Sequence, residues 1–233
     1  MSRRPGGELA SRPLHFIWIC DCSGSMQADG KIQSLNNAIK EAIPHMQKAA
    51  DENPHAQVFV RAIRFSDGAQ WHVPQPTPVA DFKWSDLKAV GMTDMGKAIS
   101  MVAEQLKIPP MSERALPPIL VLVSDGQPTD DYPGAVRDLL ALPWGKRAVR
   151  IAVAIGEDAD HDALGLFVAN AEIPVLQANN AETLVTYIRW ASTAVLKAAS
   201  APASQSNTGN TTSLNVPIPA PPAASSLLST DVW

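Results

Sequence analysis

Cysteine is nearly absent from this 233-residue chain, and the two that occur, Cys20 and Cys22, stand on either side of Asp21. On a strand that spacing points both thiols to one face rather than at each other, so a disulfide framework is excluded. Lys and Arg never form a run longer than two, and the formal charge is -4. A surface that tracks nucleic-acid phosphates is therefore not expected. The five histidines, at 15, 45, 55, 72 and 161, share no His-x-x-x-His or Cys-x-x-Cys spacing, which removes the usual zinc patterns. No apolar run approaches the roughly 20 residues that a membrane span needs. The pair Arg3-Arg4 raises the idea of an export signal, but Glu8 and Arg12 interrupt it and no small-residue cleavage site follows. The expectation is a soluble, cytoplasmic protein.

What is present is a repeated alternation. Four apolar runs rich in β-branched residues, "LHFIWIC" (14–20), "QVFVRAIRF" (57–65), "PILVLVSD" (118–125) and "AVRIAVAIG" (148–156), are separated by helical patterns. Continuous apolar runs alternating with amphipathic helices predict a parallel sheet covered on both faces. In "KIQSLNNAIKEAIPHMQKAA" the residues Ile32, Leu35, Ala38, Ile39, Ile43 and Met46 form a helical stripe. Pro44 inside that stripe predicts a kink or a break. "AQWHVP" (69–74) follows "RFSDG" so closely that only a hairpin fits, giving one short antiparallel edge strand that Pro74, Pro76 and Pro78 end. Helices are expected at 95–106, 133–142 and 181–199, and a last short strand at 173–178. The fold class is thus α/β, a Rossmann-like doubly wound sheet, mostly parallel.

Three boundaries follow: an N-terminal extension at 1–12, one domain at 13–197, and a tail at 198–233. Residues 198–230 carry no charge, and Ala, Ser, Pro, Asn and Thr dominate them, which is the composition of a flexible tail. As a free chain it spans on the order of 30 Å. It ends in "LLSTDVW", where Leu227, Leu228, Val232 and Trp233 are the kind of anchor a docking peptide needs. Asp231 and Trp233 are therefore candidate partner-binding residues, with 227–233 as a detachable recognition peptide.

Each apolar strand runs into a polar loop, "DCSGSMQ", "SDGQPTDD" or "GEDADHD", and open α/β sheets place ligands at the carboxyl ends of their strands. In the first loop Asp21, Ser23 and Ser25 alternate, with Gly24 letting the backbone turn so that both hydroxyls face one space. Oxygen donors of this kind suit a hard divalent cation, which takes about six of them. Taken alone, Asp21 and Ser23 would equally make an ordinary Asx turn. Cys22 lacks the basic neighbour that a reactive thiolate requires. "GEDADHD" lacks the length and terminal Glu of a calcium loop, so Asp160 is read as a helix cap.

The motif "DCSGSM" resembles the Asp-x-Ser-x-Ser loop of von Willebrand factor A (VWA) domains, which hold a divalent cation at a metal-ion-dependent adhesion site. Thr93 in "VGMTDMG" and Asp125 in "VLVSDGQPTDD" match two further features of that family in order. The segments "SDGQPTDD" and "GMTDMGKAI" are similar to compact bacterial VWA proteins of the tellurite-resistance-associated TerY type. The resemblance implies that Ser23, Ser25 and Thr93 contact Mg²⁺ (or Mn²⁺ or Ca²⁺) directly, with Asp21 and Asp125 behind them. It also implies an open position for an Asp or Glu of a protein partner, and a scaffold role in a stress or defence system with kinase- and phosphatase-like partners. With no carboxylate touching the cation, it stays electrophilic toward an incoming anionic oxygen. Asp94, beside Thr93, is read as the cap of the helix beginning at Met95.

The rival reading is a Mg²⁺-dependent phosphotransfer enzyme of the haloacid dehalogenase class, with Asp21 as nucleophile. That chemistry uses a second Asp two positions on as general acid, and here the position is Ser23, whose hydroxyl cannot be tuned to titrate near neutral pH. A non-enzymatic protein is expected. A third possibility, an assembly subunit with a vestigial metal site, is opposed by the intact hydroxyls.

Overall fold

A computed structural model describes residues 11–201, 216–223 and 233. Six strands form one sheet in the order β3-β2-β1-β4-β5-β6, from β1 (Arg12–Asp21), β2 (Ala56–Ser66), β3 (Gly68–Pro78), β4 (Ile119–Ser124), β5 (Val149–Ile155) and β6 (Leu176–Ala178). All neighbours are parallel except β2 and β3. The long helices are α1 (Lys31–Asp51), α2 (Met95–Gln105), α3 (Tyr132–Ala141), α5 (His161–Val168) and α6 (Ala181–Trp190), with a short α4 (Pro143–Arg147) after α3. A π-helical stretch, Ala191–Val195, continues α6 into α7 (Leu196–Ser200). The expected doubly wound α/β sheet is thus the architecture observed.

Its handedness follows from connection rules. The step β1-α1-β2 moves one way across the sheet and β4-α3-β5 moves the other, so right-handed crossovers put α1 and α3 on opposite faces. Accordingly α1 packs with α6 and α7, while α3 packs with α2 and α5. Strands β4 and β5 are buried at every position, which is why they read as unbroken apolar runs. Trp18, Phe16, Phe65, Tyr132 and Phe167 are the largest fully buried side chains. Among the described residues no helix is long and apolar enough to cross a membrane.

One local expectation needs correction, and of the two effects expected of Pro44 the break is not seen. The antiparallel edge strand is not short: β3 has 11 residues and the prolines lie within it. An edge strand needs backbone donors on one side only, so proline is tolerated there, and the register slips between Val60 and Ala62, opposite the first two prolines. Pro44 does not end α1. Pro44 and Lys40 are both exposed, so solvent can take up the carbonyl that a proline leaves without its helical donor.

Candidate metal centre

The direction of winding reverses at β1, which has β2 on one side and β4 on the other. Open α/β sheets form a crevice at such a point. The end of β1 supplies Asp21, the loop after it supplies Ser23 and Ser25, the loop after β4 supplies Asp125, and the segment before α2 supplies Thr93.

Asp21 is completely buried. One carboxylate oxygen accepts from the Ser23 backbone N–H at 2.7 Å, and the other accepts the Ser124 hydroxyl. Both oxygens are thus engaged in ordering the loop. Burial raises its pKa to about 6, against the opposing effect of the Ser124 and Ser23 hydrogen bonds, with Asp125 nearby adding to the rise. A cation in the crevice would favour the ionised form instead.

Ser25 Oγ donates to Asp125 Oδ1 at 2.7 Å and lies 3.0 Å from Ser23 Oγ. Two oxygens at right angles around a cation of Mg²⁺ size, each about 2.0–2.1 Å from it, would stand about 2.9 Å apart. The serine pair therefore has the spacing of neighbouring ligands, and the Ser25 proton is already directed away, onto Asp125. A Cβ added to Gly126 would lie 3.5 Å from Thr93 Oγ1 and 3.8 Å from Ser25 Oγ. The hydroxyls of Thr93 and Ser25 face one glycine, and Ser23 Oγ adjoins Ser25 Oγ. Among the described residues no three His, Cys, Asp or Glu side chains cluster as a metal cage, so a cation here depends on hydroxyl oxygen. The donor set fits a hard divalent ion.

Thr93 is fixed from several directions. Its N–H donates to Thr129 Oγ1 at 3.2 Å, and its carbonyl accepts from the N–H groups of Thr129 and Met95. The segment before it is joined to the first loop by Gly24 N–H to Gly91 O (2.9 Å) and Val90 N–H to Cys22 O (2.7 Å). Gly91 adopts φ +87°, and a Cβ there would stand 2.4 Å from Asp67 Oδ2. The Asp67 carboxylate holds this turn through the Met92 N–H at 2.8 Å.

Asp94 does not cap α2 with its side chain. It accepts from Gly68 N–H (2.7 Å) and pairs with Lys97 (2.5 Å), which holds its carboxyl below the usual range. The capping is done from the β4-α3 loop, where Asp130 accepts from the N–H groups of Gly96 and Lys97, both at 2.8 Å. A hairpin donor and a lysine compete successfully for Asp94, and sequence proximity gave no sign of it. Asp160 does cap its helix, accepting from Ala163 N–H at 2.9 Å. Cys22 is buried, with its thiol pushed up to about 12 by desolvation, and desolvation likewise raises Cys20 well above its ordinary value.

The sequence reading overlooked Lys31. As the first residue of α1 it was read as part of the helical segment, yet Nζ donates to Asp125 Oδ2 at 2.9 Å in a buried ion pair. Asp125 is thereby held from both sides, by Ser25 and by an ammonium. Ser124 was visible in "VSDG" without its role being evident. Of the candidate tail residues, Asp231 lies outside the described residues, and Trp233 rests on the domain itself, its N–H donating to Asn179 O at 2.9 Å.

Comparison with known proteins agrees with this architecture. No curated protein sequence matches the chain. Proximal thread matrix protein 1 from the mussel byssus is 19% identical with a TM-score of 0.58, over 82% of this chain and 49% of that one. A von Willebrand factor type A protein from Catenulispora acidiphila is 18% identical with a TM-score of 0.58, over 81% of this chain and 43% of that one. The ArnB paralog VWA2 from Sulfolobus acidocaldarius is 23% identical with a TM-score of 0.56, over 78% and 45%. In each case the match spans less than half of the solved chain, and at these identities it speaks for the fold alone. The von Willebrand factor type A domain profile matches residues 17–189, most of the sequence and all five converging side chains, and the chain belongs to that family.

Proposed function

We propose that this chain is a metal-dependent protein-binding module. Ser23, Ser25 and Thr93 hold a divalent cation, Mg²⁺ or in its place Mn²⁺ or Ca²⁺, while Asp21 and Asp125 fix the hydroxyls from behind. The cation supplies a Lewis-acidic point that attracts an Asp or Glu of a protein partner. The observation that carries the reading is the 3.0 Å separation of the two serine hydroxyls, with the Ser25 proton committed to Asp125. A crystal form of the mussel byssus protein has a zinc-occupied metal-ion-dependent adhesion motif, which supports divalent binding at this position of the fold. The role is scaffolding rather than catalysis, since the buried Asp21 has both oxygens engaged.

The resemblance of "SDGQPTDD" and "GMTDMGKAI" to TerY-type proteins supports a place in a bacterial stress or defence system, with kinase- or phosphatase-like partners. Titration calorimetry with Mg²⁺ and Mn²⁺ tests the centre. The wild type is expected to bind one ion, and a Ser23/Ser25 double alanine variant of unchanged circular dichroism to lose that heat. Equal binding by both proteins would show the assignment to be wrong. A pull-down with and without EDTA then tests the partner reading.

A further inference from the structure

The last residue of the chain sits beside the candidate metal centre. Gly156 ends β5 with φ +78°, and a Cβ built on it would lie 3.1 Å from Lys31 Nζ and 3.8 Å from Trp233 Cβ. Lys31 is the residue whose ammonium pairs with Asp125. Gly156 therefore stands between Trp233 and the ion pair that holds Asp125. Trp233 is partly buried on the apolar core, and its N–H donates to Asn179 O. The floor beneath it is well ordered: Gly156 N–H donates to Ala178 O (2.9 Å) and Gln177 Nε2 donates to Gly156 O (2.6 Å).

A second attachment lies at the opposite end of the same strand. Val216 and Ile218 line a cavity of about 390 Å³ together with Val149, Arg150, Val168 and Ile173. Both are also packed against the core. The segment beyond α7 thus touches the domain at the amino end of β5 and again at its carboxyl end. The described contacts of Val216, Ile218 and Trp233 are apolar, with one backbone hydrogen bond from Trp233.

We propose that Trp233 is a ligand of its own domain, seated against Gly156 and Asn179, where it covers one side of the metal centre and must leave before a protein partner can dock. The covering role rests on the metal-dependent reading above, whereas the seat itself does not. A tethered terminus acts at an effective concentration of about millimolar, enough to keep a weak seat filled yet open to displacement.

The test uses full-length wild type and full-length Trp233→Ala, with a fluorescein-labelled peptide of residues 224–233 ("ASSLLSTDVW") as probe. In EDTA, fluorescence anisotropy is expected to show saturable binding to Trp233→Ala that is at least about tenfold weaker for wild type, whose own terminus competes. A peptide with alanine in place of the tryptophan is expected not to bind. Absence of saturable binding to Trp233→Ala, or equal affinity for both proteins, would overturn the seat. A wild-type dimer that sedimentation resolves into monomers on Trp233→Ala substitution would place the terminus on a second copy and overturn the intramolecular arrangement. Covering is read separately from water-proton relaxation by bound Mn²⁺, expected to rise in Trp233→Ala; no change would overturn it. Failure of Mn²⁺ to bind either protein would remove the metal reading and the covering role with it, leaving the EDTA measurement to decide the seat.

Discussion

Lys31 Nζ lies 2.9 Å from Asp125 Oδ2, and both side chains are almost wholly withdrawn from solvent. The carboxylate that positions Ser25 is thus neutralised by a cation from the chain itself. A divalent ion entering the crevice meets this ammonium as a like charge, while the ammonium keeps the metal-free centre ordered.

Lys31→Met should separate those two effects. Leaving a buried carboxylate unpaired costs about 3 kcal/mol, so the melting temperature in EDTA should fall. Divalent affinity should rise by about tenfold through loss of a nearby positive charge. Thermal melts and titration calorimetry check both signs; weaker metal binding in this variant would show that Lys31 supports the centre rather than opposing it.

Asp130 should be worth more than its place in a loop suggests. Its carboxylate satisfies two N–H groups at the start of α2, and loss of such a cap costs about 1–2 kcal/mol. Asp130→Ala is expected to lower the melting temperature by about 3–6 °C. Asp94→Ala should not reproduce the loss as a capping defect, and comparison of the two melts decides between the carboxylates.

Gly91→Ala should weaken metal binding from a distance. The added methyl would meet Asp67 at 2.4 Å and the residue would keep φ +87°, a conformation costing on the order of 1–3 kcal/mol outside glycine. Because this turn carries Thr93, the cation affinity should fall together with stability. Adding Asp67→Ala relieves the contact but not the backbone strain, so a partial recovery in calorimetry is the expected result.

Cys22 should be silent in the native protein. With its pKa pushed up to about 12 by burial, fewer than about one thiol in a thousand is ionised at pH 8, and the thiolate is the reactive form. A colorimetric disulfide reagent should register no thiols in the folded chain and two after denaturation. Rapid native labelling would reopen the nucleophile reading for Cys22.

Much of this was legible because the signals were local. Strands β1, β2, β4 and β5 are buried enough to read as apolar runs, and Asp160 caps the helix directly after it. The five candidate site residues came from matching three short motifs in order, which no single motif would have supported. Lys31 and Asp130 escaped for a shared physical reason: each bonds to a residue more than thirty positions away, and only the closed sheet brings those loops together. Asp94 occupies the right position for a cap, but partners in the β2-β3 turn and on Lys97 take its oxygens. The prolines of β3 looked like stops because sequence does not reveal which strand lies at an edge.

Those same prolines bear on how the protein can associate. A strand at the rim of a sheet ordinarily invites another chain to pair with it, through an unsatisfied row of backbone donors and acceptors. Pro74, Pro76 and Pro78 remove three of the donors from the outer half of β3, and the other rim, β6, is only three residues long. Among the described residues the proline half of β3 and the short β6 are poor templates for strand-by-strand fusion, an arrangement that works against pairing with another chain.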